Sequence, residues 1–304
     1  MKKTLLTLAL IAATQLTGFA ANQMNLERTD SLHIWLLRGL TRESGHWDAT
    51  FLAEMESSFP NAQLHFLDLP GSGEFHDVKC PVSVPGMVDF VRSAHEATLN
   101  ASSGSNVIVA TSLGSMVVTE WVNQYPNDFE GMILICPSYK GICKLKERAQ
   151  MKSWGKMLGI ALPFNRRKKE AKLLAINSND TTGMSETLDE WVEIAEERPM
   201  STGNILRQTF AGMLYKPSDL PEDFPTLIVA SRMDPLVHCD CINKIHEELG
   251  GTLVWHDSSG HGIPIDAPAW LVAQISDWFD ADIQPHYEDW VTSRSTILAV
   301  TGVR

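Results

Sequence analysis

The sequence predicts a doubly wound, mostly parallel α/β sheet that carries a helical cap as an insertion. Three observations lead there: strand-length apolar runs with little alternation, helical-period segments between them, and one long stretch, 138–220, without a strand signal. The runs fall at 32–37, 64–67, 107–110, 132–136, 227–230 and 252–255, each ending at a turn signal. Near-continuous apolarity suits strands buried on both faces, as in a parallel sheet, rather than strands with one wet face. Between the runs, 51–59 places Phe51, Leu52, Met55 and Phe59 on one helical face. The stretches 87–99 and 116–125 have the same period, and Pro126 closes the second. Strand and helix therefore alternate, which is the signature of this architecture.

The alternation stops after Pro137, and the chain reads as helical until about Pro221. A Lys/Arg-rich part comes first, then an acidic part at 186–197, then the segment 205–215. The insertion leaves the sheet at the carboxyl end of a strand, where ligands bind in open α/β sheets, so it is expected to cover the site as a cap. Its apolar residues Trp154, Leu158, Leu162 and Phe164 suit either the cap's own core or a roof over an acyl chain. The expected organisation is a core at 23–137 and 221–282, a cap at 138–220, and a tail at 283–304. Residues 295–300 in that tail read equally as a last strand or a loose extension.

Ahead of the core, Lys2 and Lys3 precede the short apolar stretch 5–13, and Gly18-Phe19-Ala20-Ala21 closes the segment. This is the form of a secretory signal peptide over residues 1–22, and the run is too short for a stable membrane span. The protein is then expected to be exported, periplasmic or secreted; if Met24 is the true start, it is cytoplasmic.

At 304 residues, with 44% hydrophobic and 20% charged side chains, the chain can bury a sizeable core and is not of disordered composition. A net charge of -12 excludes nucleic acid as an expected partner, because phosphate binding needs a basic face. The basic run Arg166-Arg167-Lys168-Lys169 reads as a solvated helix face. His238-Cys239-Asp240-Cys241, with His246 nearby, lacks a second ligand pair at zinc-site spacing, so no metal is expected there. Five cysteines leave at least one thiol free, and the sequence does not say whether any pair.

The chemistry concentrates at Ala110-Thr111-Ser112-Leu113-Gly114, which joins an apolar run to a helical one. A serine hydroxyl is a weak nucleophile unless a base takes its proton. A sharp strand-to-helix turn exposes the hydroxyl, and the small residues two before and two after it let strand and helix pass closely. The helix that starts near Leu113 aims free N–H groups at developing negative charge. This segment resembles the nucleophile elbow of the α/β-hydrolase superfamily, usually G-x-S-x-G. Ala110 stands at the first glycine position, a form also found in some secreted bacterial lipases of the superfamily.

Family chain order is nucleophile, acid, histidine. Asp234 follows the run 227–230 in a loop, similar to the family's acid position. His261 lies in Ser258-Ser259-Gly260-His261-Gly262, which resembles the family's histidine loop, while His256 is a competitor at a strand end. Arg38-Gly39-Leu40 resembles the oxyanion loop, usually His-Gly-x, and implies backbone N–H donors from Leu40 and Leu113. Asp68-Leu69-Pro70-Gly71-Ser72-Gly73 resembles a family turn that shapes the fold.

The resemblance implies a serine hydrolase with Ser112, Asp234 and His261 as its triad, acting on a small ester or lipid-like substrate without a metal or organic cofactor. Serine at position 112 argues against the epoxide hydrolases and dehalogenases of the same fold. The alternatives are another acyl hydrolase or acyltransferase on the same triad (thioesterase, amidase, carbon–carbon hydrolase), or a non-catalytic binding protein of this fold. The oligomeric state is not legible.

Overall fold

A computed structural model describes residues 32–102, 104–150, 165–218 and 224–284. The proposed leader, the four apolar cap residues 154, 158, 162 and 164, and the tail from residue 285 on lie outside the described residues.

Six parallel strands form one sheet: β1 (Leu32–Leu37), β2 (Gln63–Leu67), β3 (Ser105–Thr111), β4 (Gly131–Ile135), β5 (Thr226–Ser231) and β6 (Thr252–His256). Their order across the sheet is β2-β1-β3-β4-β5-β6, so the chain winds outward in both directions from β1 and β3. Each strand was expected within a residue or two of where it lies.

The expectation of burial on both faces holds for the four inner strands, which are buried throughout. It fails for β2, with Gln63 and Phe66 exposed, and for β6, half-buried along its length. These two are the edges, which no second neighbour covers.

Alternate residues feed two core layers. Ile108 and Ala110 of β3 point to one face, where they pack with Met87 and Val91 of α2 (Val84–Ala101), Val117 and Trp121 of α3 (Leu113–Gln124), and Ile242 and Ile245 of α8 (Cys239–Leu249). Val107 and Val109 point to the other, against Phe51 and Met55 of α1 (Ala49–Ser58) and Leu271, Val272 and Ile275 of α10 (Pro268–Trp278). The helix starts follow from local chemistry. Asp48 caps α1 by accepting from the N–H groups of Thr50 and Phe51, and Ser83 caps α2 just ahead of Pro85.

The described part of the insertion carries helices and no strand. After the short helix α4 (Leu145–Arg148) come α5 (Arg166–Asn177), α6 (Ser185–Glu197) and α7 (Thr202–Leu214). Leu173, Leu174 and Trp191 make a small core of their own, completed by Ile265 of α9 (Ile263–Asp266) from the sheet domain. A disulfide bond joins Cys143, at the base of the insertion, to Cys241 in α8. Arg166, Arg167 and Lys168 are exposed at the start of α5, whereas Lys169 is half-buried and Glu170 buried.

The cluster at 238–241 is a helix start. His238 accepts from the N–H of Asp240, Cys241 is in the disulfide, and Cys239 is a free, half-buried thiol. No described helix is long and apolar enough to cross a membrane.

Candidate active site

Five loops leave the carboxyl ends of β1, β3, β4, β5 and β6 along one edge of the sheet, and they carry every residue of the candidate site. The turn after β3 is the sharpest. Ser112 sits at φ 54° and ψ −115° between the strand and the start of α3, a conformation that costs a non-glycine residue free energy. Neighbours hold it there: the Ser112 N–H donates to Ile135 O at 2.9 Å, and Ser115 Oγ donates to Ala110 O at 3.0 Å.

The glycines of the motif have a steric reason. A Cβ on Gly114 would stand 2.7 Å from Arg38 O, and one on Gly39 would stand 2.8 Å from Thr111 O and 3.0 Å from Ser112 Cβ. The loop after β1 thus lies directly against the turn. Leu40 and Leu113 border the same cavity as Ser112, and no hydrogen bond within the described residues takes up either of their N–H groups.

Asp234 and His261 meet as the chain order implied. His261 Nδ1 donates to Asp234 Oδ2 at 2.8 Å, with both side chains buried. The other carboxylate oxygen of Asp234 accepts from the N–H groups of Leu236 (2.7 Å) and Val237 (3.1 Å), so the residue also caps its own turn. His261 Nε2 is buried and has no partner among the described residues, and His261 borders the cavity that Ser112 borders. His256 does something else. Its Nδ1 accepts from the N–H of Ser259 at 2.9 Å, and its ring packs edge-on against Trp270. It shapes the histidine loop from outside the cavity.

Cys136, one residue past β4, reads in the sequence as the end of the run 132–136 and as one of five cysteines, with no role at the site. It adopts φ 51°, and its Sγ lies within 4.8 Å of ligand-type atoms of Asp234 and His261. Burial, then the charge of Asp234 and a hydrogen bond to it, push the thiol well above its usual range. A protonated thiol is a hydrogen-bond donor and a poor metal ligand, so the trio reads as a hydrogen-bonded network.

The insertion reaches the site through the end of α5. Asn177 O accepts from the Gly262 N–H at 2.6 Å, and a Cβ on Gly260 would stand 2.4 Å from the same oxygen. Asn179 Nδ2 donates to Met233 O (3.1 Å) and to Ser258 O (3.0 Å), linking the acid loop to the histidine loop. No local motif marks these asparagines, because their role exists only once three distant segments meet.

The segment after Leu40 is also tied to the insertion. Arg42 pairs with Glu170 at 2.7 Å, and Arg198 donates through Nε to Glu43 at 2.7 Å. Arg38, which stands where the family usually has histidine, is 2% exposed with its guanidinium 4.9 Å from the centre of the Trp47 ring. Burial, then the neighbouring Arg42, push it down to about 9, against the pull of Asp48. The family turn at Asp68 is structural: its carboxylate accepts from the N–H groups of Ser44 (2.7 Å) and Glu74 (3.0 Å).

The cavity has a volume of about 360 Å³, and sheet loops and insertion together enclose it. Its walls are mostly apolar, as small-molecule sites usually are.

A strand-to-helix serine, a buried Asp–His pair and an apolar cavity on the carboxyl edge of a parallel sheet define a hydrolase of α/β architecture. Residues 36–274 match the Alpha/beta hydrolase family, and the chain belongs to it. No curated protein sequence matches the chain. Among solved structures, the esterase RhEst1 from Rhodococcus sp. ECU1013 is similar at a TM-score of 0.65 and 16% identity, covering 84% of this chain and 92% of that one. A thermophilic esterase from Thermogutta terrifontis is similar at a TM-score of 0.62 and 16% identity, covering 82% and 90%. The 2-hydroxy-6-oxo-6-phenylhexa-2,4-dienoate hydrolase of Rhodococcus sp. strain RHA1 is similar at a TM-score of 0.65 and 19% identity, covering 83% and 92%. At these identities the likeness is one of fold.

Proposed function

We propose that the protein is a serine hydrolase that cleaves a small carboxylic ester through an acyl-enzyme. The observation that carries this is the unpartnered, buried Nε2 of His261, held by Asp234 and bordering the cavity that the strained Ser112 also borders. A histidine whose Nδ1–H is donated to a carboxylate presents Nε2 as the basic nitrogen. In this reading His261 takes the Ser112 proton as the hydroxyl oxygen attacks the ester carbonyl, and Asp234 stabilises the imidazolium that forms.

The N–H groups of Leu40 and Leu113 take the oxyanion, each such donor typically lowering the barrier by about 3 kcal/mol. His261 returns the proton to the departing alcohol, and water, activated by the same base, then releases the acid. The helical insertion acts as the cap that closes the cavity and, through α5, holds the histidine loop.

Hydrolysis of p-nitrophenyl esters from acetate to palmitate, by wild type and Ser112→Ala in parallel, tests the reading. Turnover by the wild type with loss of at least about a thousandfold in the variant is expected. Equal activity in both would remove Ser112 as the nucleophile. The best chain length measures the acyl pocket.

Export, expected from the first residues, is supported by the Cys143–Cys241 bond, because structural disulfides persist in oxidising compartments. Mass spectrometry of the exported protein is expected to find a start near Ala21 or Asn22. A chain beginning at Met1 or Met24 would refute processing.

A further inference from the structure

The cavity that holds Ser112 and His261 has a charge pattern that neither the fold nor acyl transfer requires. Three arginines border it, Arg38, Arg42 and Arg148, and among the described residues no aspartate or glutamate does. This occurs on a chain of net charge -12, so it is a local choice and not a reflection of composition. Arg148 is the most occupied of the three, its two Nη groups donating to the carbonyls of Gly212 and Met213 and only its buried Nε left over among the described residues.

Arg42 is not fully occupied. Nη2 donates to Glu170, while Nε and Nη1 are buried without a partner among the described residues, on a side chain only 6% exposed. Arg38 Nε and Thr41 Oγ1 are likewise buried and unpartnered. The face of the Arg42 guanidinium lies 4.5 Å from the centre of the Trp191 ring, which fixes its plane.

Arg42 also borders an adjoining polar chamber of about 230 Å³, where, among the described residues, Arg42, Arg166, Lys169 and Arg198 face the two carboxylates of Glu43 and Glu170. Like charges are therefore pressed together around Arg42: burial first, and then the field of Arg42, disfavours the protonated forms of Arg38, His46 and Lys169, with Glu170 opposing the shift at Lys169. Buried charged donors left without acceptors are costly, and a protein keeps them where a ligand supplies the acceptor.

We propose that the substrate is an ester carrying a free carboxylate, and that Arg42, with Thr41, binds this carboxylate where the two chambers meet. The inference rests on the esterase reading for the rest of the substrate. A neutral ester of the same size leaves the Arg42 donors unmatched, so the site discriminates against it.

The test compares p-nitrophenyl monoesters of succinate, glutarate and adipate with the butyrate, valerate and hexanoate esters of equal chain length. It also measures binding of glutarate alone by calorimetry. For the best-fitting length, wild type is expected to favour the anionic ester in kcat/KM by about tenfold or more. That ratio is expected to collapse in Arg42→Met/Glu170→Gln, a pair that removes both partners and so leaves no buried carboxylate unpaired. Arg42→Lys keeps part of it.

A wild-type ratio at or below unity, or one the double variant leaves unchanged, would overturn the carboxylate site. If no ester is turned over yet glutarate binds in an Arg42-dependent way, the esterase reading falls and the anion site stands. With neither turnover nor glutarate binding, both fall.

Discussion

Thr41, Ser112 and Cys136 are the non-glycine residues at positive φ among the described residues, and each lies just past a strand end at the site. Such conformations persist where surrounding structure over-determines them; here Thr41 and Ser112 border the cavity and Cys136 lies beside Asp234 and His261. Ser112 and His261 were legible from sequence because each sits among glycines or small residues after a strand-length run. Cys136 and Arg42 were not, because a thiol under an acid and a guanidinium short of acceptors are properties of tertiary neighbours. The same contrast separates the two histidines. His256→Ala removes one acceptor for the Ser259 N–H, a change of about 0.5–1.5 kcal/mol in stability, and is expected to leave most activity. His261→Ala is expected to lose activity to the level of Ser112→Ala. Steady-state kinetics with a denaturation curve for each variant checks both; the reverse order would move the base to His256.

Among elements, the sheet is legible because strand-length apolar runs and the turn signals that end them are local. The half-exposed edges β2 and β6 were not foreseen, since position in the sheet order is a non-local fact. The helices of the insertion were legible as helices, but their attachment was not. The end of α5 grips the histidine loop through Asn177, and Asn179 spans the acid and histidine loops. Asn179 touches neither Ser112 nor the cavity wall, so it acts by positioning. Asn179→Ala breaks two hydrogen bonds, each worth about 0.5–1.5 kcal/mol net, and frees the two loops to drift. The expected result is a kcat lowered by about tenfold with KM little changed, because small misplacements of a base are felt in the chemical step. Asn179→Asp can accept but no longer donates as a carboxylate, so it is expected not to rescue. A variant that shifted KM alone, or was rescued by aspartate, would assign Asn179 to substrate binding.

For the whole molecule, the question is what keeps insertion and sheet in register, since the cavity exists only between them. Ion pairs from the Arg42 and Glu43 segment, the satellite core around Trp191 and the clamp on the histidine loop all cross that boundary. The Cys143–Cys241 bond is the covalent one, its ends separated by 98 positions in the sequence. Nearly the whole insertion and β5 lie within that loop. Cross-linking so long a loop restricts the unfolded chain, and chain-entropy reasoning gives a stabilisation of about 4–5 kcal/mol, from which engineered and natural bonds often fall short. Reduction is therefore expected to cost about 2–4 kcal/mol. The check is the urea midpoint with and without a phosphine reductant, with Cys143→Ala/Cys241→Ala as the second arm. If the bond acts through the unfolded state, reductant lowers the wild-type midpoint toward that of the double variant and does not move the variant. Activity below the transition should change little, because the bond touches no residue of the triad. A wild-type midpoint insensitive to reductant would mean that the two thiols do not pair in solution. A large loss of activity before unfolding would mean instead that the bond holds the insertion against the site in the folded protein.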